Sequence, residues 1–287
     1  MFIARITRLT RVPLAFAVLV LALLATMLPG QLAGAGDTST GATHSPDPKP
    51  TIVLVHGAWA DASSWSEVTT RLQRQGYQVL APPNPLRSLS GDAAYLSAFV
   101  QQRTSGSVVL VGHSYGGAVI TNAATSDPDV QALVYIDAFA PAAGESVLFL
   151  ASELPGSALA ADPATVFDPV AYPGAPAGDV DLYVKSTVFP DAFANDLPAK
   201  RGAVLAASQR PLTLSAAAEP SGPPAWETLP SWYLVGTRDN VLPPAQQRAM
   251  AERAGSTTVA VKAGHLSMLS RPGAVTDLIV AAARSLG

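Results

Sequence analysis

The stretch "VVLVGHSYGGAVI" at residues 108–120 constrains the fold of this chain more than any other segment. A run of strand-forming apolar residues leads into the pentapeptide GHSYG, and a helical pattern of small residues follows at once. A G-x-S-x-G motif between a strand and a helix predicts a tight turn that holds the serine hydroxyl at the end of the strand. Glycine tolerates such a turn because it has no Cβ atom to clash. We therefore predict that Ser114 is a nucleophile.

The pattern around this motif alternates between two kinds of segment. From residue 51, short apolar β-branched runs are followed by helical patterns, which is typical of a parallel sheet with helices on both faces. The alternation yields four strands up to about residue 140 and resumes at residue 231. It predicts a single α/β domain at residues 51–287.

The alternation lapses over residues 141–229, which are rich in alanine and proline and contain only short helical patterns. This segment is predicted to be an insertion after the fourth strand, in the position of a lid over an active site. Its scattered aromatic residues indicate an apolar substrate group, although most of them could instead pack the segment against the domain. They are Phe149, Phe167, Tyr172, Phe189, Phe193 and Trp226.

The N-terminus resembles an export signal. A basic segment, "MFIARITRLTR", precedes a long apolar run, and Ala33-Gly34-Ala35 fits the small-residue cleavage pattern. We predict a signal peptide at residues 1–35, a flexible linker at residues 36–50, and a secreted or cell-envelope protein. An uncleaved membrane anchor is the alternative, since the apolar run approaches the length that spans a bilayer. After cleavage, no stable membrane insertion is expected.

Composition excludes several classes of function. The chain has no cysteine, which rules out disulfides, thiolate metal sites, a cysteine nucleophile and a lipoprotein anchor. The formal net charge is −3; without residues 1–35, which carry three arginines and no acid, 15 basic residues face 21 acidic ones, or −6. No basic patch is interleaved with aromatic residues, so nucleic acid is not an expected partner.

A serine nucleophile needs a base, and the chain has four histidines. His44 lies in the linker, and His56 and His113 flank glycines at predicted strand ends. His265 follows the last predicted strand, and because the carboxyl ends of parallel strands share one edge, its loop is expected beside Ser114. We predict that His265 is the base and that His113 is a packing residue.

Two carboxylates could orient this base. Asp239 follows the fifth predicted strand and Asp137 follows the fourth, and the chain order Ser–Asp–His holds for either. We favour Asp239 because its loop neighbours the loop that carries His265, while Asp137 stays open as the alternative.

The negative oxygen of a tetrahedral intermediate requires hydrogen-bond donors. The backbone N–H of Tyr115, directly after the nucleophile, is predicted to be one, and the N–H of Ala58, in the loop after the first strand, is predicted to be the other. Trp59 is a candidate pocket residue, and Trp65 is more easily explained as helix core.

With these motifs the chain resembles the α/β-hydrolase superfamily over about residues 51–285. "VHGAWADASSW", "LVGHSYGGAVI" and "GHLSMLSRP" are similar to the branch of plant-type methylesterases, hydroxynitrile lyases and small bacterial esterases. The resemblance implies a triad of Ser114, Asp239 and His265, an oxyanion hole of Ala58 and Tyr115, and a core of six parallel strands.

The chain departs from this branch at one informative position. Hydroxynitrile lyases carry a lysine directly after the catalytic histidine, but here that residue is Leu266, and Lys262 lies on the other side of the histidine. Lyase chemistry is therefore not expected. Ser114 also argues against the dehalogenases and epoxide hydrolases of the superfamily, which use an aspartate nucleophile.

These observations predict an exported serine esterase that needs no metal or cofactor and acts on small to medium carboxylic esters or lactones. Two alternatives stay open. One is a ligand-binding protein of the same fold with slow or no turnover, and the other is a perhydrolase or cofactor-free haloperoxidase. The sequence indicates no oligomeric state.

Overall fold

The computed structural model describes residues 48–287 of the chain. The predicted signal peptide and most of the predicted linker lie outside the described residues, so both stay predictions. Between residues 48 and 287, no helix combines the length and the apolar character needed to cross a membrane.

The strands of the described residues fall into two sheets. In chain order they are β1 (Thr51–Val55), β2 (Val79–Leu80), β3 (Val108–His113), β4 (Val130–Ile136), β5 (Phe167–Val170), β6 (Asp181–Val184), β7 (Leu212–Thr213), β8 (Ser231–Gly236) and β9 (Thr257–Val261).

The helices connect and cover these strands. In chain order they are α1 (Ser66–Arg74), α2 (Leu89–Arg103), α3 (Tyr115–Ala123), α4 (Val147–Glu153), α5 (Pro163–Val166), α6 (Phe189–Ala192), α7 (Ala199–Ala207), α8 (Leu214–Ala218), α9 (Pro244–Arg253), α10 (Ser267–Ser270) and α11 (Pro272–Arg284).

The core sheet has six strands in the order β2-β1-β3-β4-β8-β9, and every pair of neighbours is parallel. Every residue of β1 and β3 is buried. Strands covered on both faces need continuous apolar runs, which explains why these two segments are almost uninterrupted Val, Ile and Leu. Helix α1 packs against α11, and α2 packs against α3. The predicted α/β fold with six parallel core strands is confirmed.

Residues 141–229 lie between β4 and β8 and differ from the expectation of short helices alone. They contain α4–α8 together with a three-stranded antiparallel sheet in the order β5-β6-β7. These strands escaped the sequence pattern because β5 contains Asp168 and Pro169 and is largely exposed, so no apolar alternation marks it. That the segment acts as a lid stays a prediction.

The topology brings four chemically important residues to one edge of the core sheet. Ser114 directly follows β3 and Asp137 directly follows β4, while Asp239 and His265 lie in the loops after β8 and β9. Because β3, β4, β8 and β9 are consecutive and parallel, the four loops are neighbours.

Candidate active site

The turn that carries Ser114 is strained. Ser114 has φ +52° and ψ −125°, in a region that non-glycine residues rarely adopt, and α3 starts with the next residue. The two glycines of the motif make this turn possible: a Cβ atom on Gly112 would lie 2.5 Å from the carbonyl oxygen of Gly116, and one on Gly116 would lie 2.6 Å from that of Val55. The hydroxyl therefore stands at the end of β3 with the first turn of α3 beneath it.

The structure brings Ser114, His265 and Asp239 into one hydrogen-bonded series. The imidazole Nε2 of His265 lies 2.9 Å from Ser114 Oγ, and its Nδ1 lies 2.7 Å from Asp239 Oδ2. All three residues are buried. A carboxylate accepts only, so Nδ1 carries the proton and Nε2 accepts the hydrogen bond from the serine hydroxyl. Burial lowers the pKa of His265 below its ordinary value, which keeps the imidazole neutral and able to accept a proton.

Asp239 is surrounded by hydrogen-bond donors. Its Oδ1 accepts from the backbone N–H groups of Val241 and Leu242 at 2.7 and 2.9 Å, and its Oδ2 accepts from Gln247 Nε2 at 2.8 Å in addition to His265. These donors stabilise the charged form. Gln247, on α9, is a site residue that sequence reasoning missed, because a glutamine in a helix carries no motif.

Asp137, the alternative acid, occupies a different place. It is fully buried, and its Oδ2 accepts from the backbone N–H of Ser267 at 3.3 Å rather than from the imidazole. Burial raises the pKa of both Asp137 and Asp239, and the charge of Asp239 adds to the shift in Asp137. Asp239 has four donors and Asp137 has one, so the surroundings favour the charged form of Asp239 over that of Asp137.

The two backbone groups predicted for the oxyanion hole are free of protein acceptors. Among the described residues, neither the Ala58 N–H nor the Tyr115 N–H donates a hydrogen bond to another protein group. Next to Ala58, Trp59 adopts a left-handed conformation with φ +56°, and its own N–H bonds to the carbonyl of Arg210 at 2.8 Å. That contact turns the Trp59 N–H away from the site.

A narrow apolar cavity reaches Ser114. Its aromatic lining residues are Trp59, Tyr115, Phe139 and Phe167, and alanine and leucine side chains of the core and of residues 141–229 supply most of the rest. None of the described residues that line it is charged. Of the six aromatic residues singled out within 141–229, only Phe167 lines the cavity, and Trp65 is buried helix core.

His113 does more than the packing predicted for it. Its ring is fully buried, and its Nε2 donates a hydrogen bond to the backbone carbonyl of His265 at 2.8 Å, across 152 positions of sequence. His56 is also buried and contacts only its own loop and Asn84. Within residues 48–287, no group of three or more histidine and acidic side chains is arranged to hold a metal ion.

Comparison with known proteins agrees with this architecture. The chain is 36% identical over 111 residues to the carbendazim-hydrolysing esterase of Nocardioides sp. (strain SG-4G), covering 34% of this chain and 46% of that protein. It is 31% identical over 115 residues to methylesterase 8 of Arabidopsis thaliana, covering 36% of this chain and 42% of that protein. Both matches thus span less than half the length of the relative.

A solved structure shares the whole fold. The pyrethroid hydrolase of Sphingobium faniae JZ-2 superposes with a TM-score of 0.65 at 24% identity, over 82% of this chain and 98% of that one. Residues 52–278 also match the family model described as the alpha/beta hydrolase family, which covers most of the chain. The strand order, the strained serine turn and this match together show that the chain belongs to the α/β-hydrolase family.

Proposed function

We propose that this protein is a serine esterase that hydrolyses small to medium, uncharged carboxylic esters or lactones. One observation carries the proposal: the hydrogen bonds that link Asp239, His265 and Ser114 end at an apolar cavity. The names of two relatives, an esterase and a methylesterase, support ester hydrolysis as the reaction class.

Acylation follows from the positions of the hydrogen-bonding groups. His265 Nε2 takes the hydroxyl proton of Ser114 as Oγ forms a bond to the ester carbonyl carbon. The carbonyl oxygen becomes negative and accepts hydrogen bonds from the N–H groups of Ala58 and Tyr115. Asp239 stabilises the imidazolium that forms. When the intermediate collapses, the carbon–oxygen bond to the alcohol breaks, and the leaving oxygen takes the proton from Nε2.

Deacylation repeats these steps with water. His265 removes a proton from a water molecule whose oxygen attacks the acyl carbon, and the second intermediate releases the carboxylic acid as Ser114 Oγ regains its proton. The apolar cavity holds the uncharged part of the substrate during both steps, because burial of apolar surface is favourable and a charged group would find no partner there.

The test is a panel of p-nitrophenyl esters of increasing acyl length, combined with labelling by a fluorophosphonate probe. We expect turnover and stoichiometric labelling of the wild-type protein, with both lost in Ser114→Ala. A protein that neither turns over any ester nor reacts with the probe contradicts the proposal. Labelling without turnover would instead favour a ligand-binding protein, and acyl transfer that requires peroxide would favour a perhydrolase.

We also propose that the protein is exported and that its signal peptide is removed after Ala35. The basic segment, the apolar run and the Ala33-Gly34-Ala35 pattern support this proposal. Mass spectrometry of protein from the culture medium and the cell envelope tests it. The expected mature N-terminus is Gly36, and recovery of only the full-length chain in the membrane fraction would contradict cleavage.

A further inference from the structure

The segment that carries the proposed base is held by side chains from three distant parts of the chain. We call residues 264–267 the base segment. The N–H of Gly264 donates to Asp196 Oδ2 at 2.9 Å, the carbonyl of His265 accepts from His113 Nε2 at 2.8 Å, and the N–H of Ser267 donates to Asp137 Oδ2 at 3.3 Å. The three partners are 68, 152 and 130 positions away in sequence.

We propose that Asp196, His113 and Asp137 are positioning residues that hold the backbone of the base segment, and thereby the imidazole of His265, in the orientation that reaches both Ser114 and Asp239. This inference rests on the proposed function. The three residues act through the base segment and need not touch the substrate. One of them, Asp196, belongs to the inserted segment.

The geometry explains why the backbone of the base segment needs these three hydrogen bonds. His265 must place Nε2 against one partner and Nδ1 against another, so a rotation of its backbone would break both hydrogen bonds. The base segment runs from the loop after β9 to the first residue of α10 and lacks the ladder hydrogen bonds that hold a strand. Side chains supply the missing restraint at three backbone groups within four residues. A displacement of about 1 Å at such a position can lower a rate by about a hundredfold.

Asp137 suits this role and does not suit that of a second charged acid. Its backbone is in the left-handed region with φ +45°, which carries a conformational cost that surrounding contacts must offset. A Cβ atom on Gly236 would lie 2.5 Å from Asp137 Oδ1, so glycine at 236 leaves room for this carboxyl group. Oδ1 has no hydrogen-bonding partner among the described residues. Burial raises the pKa of Asp137, and the nearby charge of Asp239 adds to the shift.

Asp196 brings the inserted segment into the same arrangement. Its Oδ2 holds Gly264, and the neighbouring Asn195 donates from Nδ2 to the carbonyl of Arg238 at 2.8 Å. Gly264 directly precedes His265 and Arg238 directly precedes Asp239, so two adjacent side chains of the insertion hold both loops. The inserted segment thus contributes to the alignment of the base as well as to the cavity wall.

The experiment compares paired substitutions at each position. Asp196→Ala, Asp137→Ala and His113→Leu remove the hydrogen bond to the base segment, whereas Asp196→Asn, Asp137→Asn and His113→Gln keep a group that can form it. Asp129→Ala, which replaces an exposed carboxylate before β4, is the matched control. The measurements are kcat and KM on a p-nitrophenyl ester per site titrated with the fluorophosphonate, thermal unfolding, and the downfield proton signal of His265 Nδ1–H.

We expect the first three variants to lose about tenfold to a hundredfold in kcat with little change in KM, and to lose or shift the downfield signal. The conservative variants should recover most of kcat. Full kcat and an unchanged downfield signal in folded Asp196→Ala would overturn the inference. Should Asp137→Ala fail to fold, Asp137→Asn decides: a loss as large as that of Asp239→Asn would mean that Asp137 acts through its charge, which contradicts its assignment.

The outcomes separate this inference from the proposed function. If the wild-type protein neither reacts with the probe nor hydrolyses esters, the proposed function itself is contradicted. If the wild-type protein does both and Asp196→Ala, Asp137→Ala and His113→Leu match Asp129→Ala in kcat, only the positioning roles are contradicted. The esterase proposal then stands.

Discussion

The Nε2 of His265 lies 2.9 Å from the Oγ of Ser114, although 151 positions of sequence separate the two residues. The two residues lie in loops on the same edge of the core sheet. Asp239, in the loop after β8, binds the other ring nitrogen of His265, Nδ1. The predictions below follow from this arrangement and from the burial of its members.

Replacement of Ser114 by alanine removes the one hydroxyl, among residues 48–287, to which the imidazole of His265 is hydrogen-bonded. We expect kcat to fall by a factor of at least about a thousand, because nucleophile and base act as a unit. Folding should be unaffected, since only one buried oxygen is lost. Steady-state kinetics and circular dichroism check this, and substantial residual turnover that is free of contaminating esterase would contradict it.

Ser114→Gly should separate stability from activity. The positive φ of Ser114 costs about 1–3 kcal/mol in a residue with a Cβ atom, and glycine adopts it without strain. We expect Ser114→Gly to be as inactive as Ser114→Ala. Its free energy of unfolding should exceed that of Ser114→Ala by about 1 kcal/mol, after the entropic cost of glycine is subtracted. Urea unfolding of the two variants measures the difference. Equal stability would mean that the serine turn is not strained.

Asp239→Asn tests the identity of the orienting acid. The change keeps the shape of the side chain but removes the charge that stabilises the imidazolium, and an orienting asparagine favours the wrong tautomer of the ring. We expect kcat to fall by about ten-thousandfold. Titration with the fluorophosphonate should show slow labelling. A variant that retains wild-type kcat would point to another acid.

Ala151→Phe should change the chain-length preference. Ala151 lies on α4 and lines the apolar cavity, so a phenyl ring there would occupy space that a long acyl group needs. We expect kcat/KM for an octanoate ester to fall by about tenfold or more relative to that for an acetate ester. Ala281→Phe, at an exposed position of α11, is the control. Equal loss on both esters would place the acyl group elsewhere.

The buried histidines should lower the stability of the fold as pH falls below about 6.5, the ordinary pKa of histidine. Burial lowers the pKa of His56 to about 4, and it also lowers the pKa values of His113 and His265. Between their folded and unfolded pKa values these histidines bind more protons in the unfolded chain, so the stability that they contribute above pH 6.5 is lost toward pH 4.

Asp92, Asp137 and Asp239 act in the opposite direction, because their raised pKa values let the folded state bind more protons than the unfolded chain, so the test isolates the contribution of one histidine. The measurement is the midpoint of thermal unfolding between pH 7 and pH 5. Relative to the wild-type midpoint, the midpoint of His56→Gln should rise as pH falls, because the variant lacks the cost of keeping His56 neutral. The same pH dependence in both proteins would contradict the expectation.

Local signals in the sequence were enough to predict the fold and the serine turn. The strand–GHSYG–helix pattern occupies one short stretch of sequence, residues 108–120. The glycines at 112 and 116 are required by close contacts inside that motif and with β1. Alternating segments predicted the core strands, most clearly β1 and β3, because a strand buried on both faces needs a continuous apolar run wherever its partners lie.

Other features depend on contacts that no local pattern records. Sequence order left both Asp137 and Asp239 as candidates; only the packing of β4, β8 and β9 decides that Asp239 meets the imidazole while Asp137 meets Ser267. The hydrogen bond from His113 to His265 escaped the sequence analysis for the same reason. The antiparallel sheet of the insertion escaped it because β5 carries no apolar alternation. The sequence by itself thus determined the strands of the core sheet and the tight turn at Ser114, since short-range sterics and apolar runs specify both. The tertiary structure alone decided which side chains orient the base, because hydrogen bonds between distant loops exist only after the sheet has assembled.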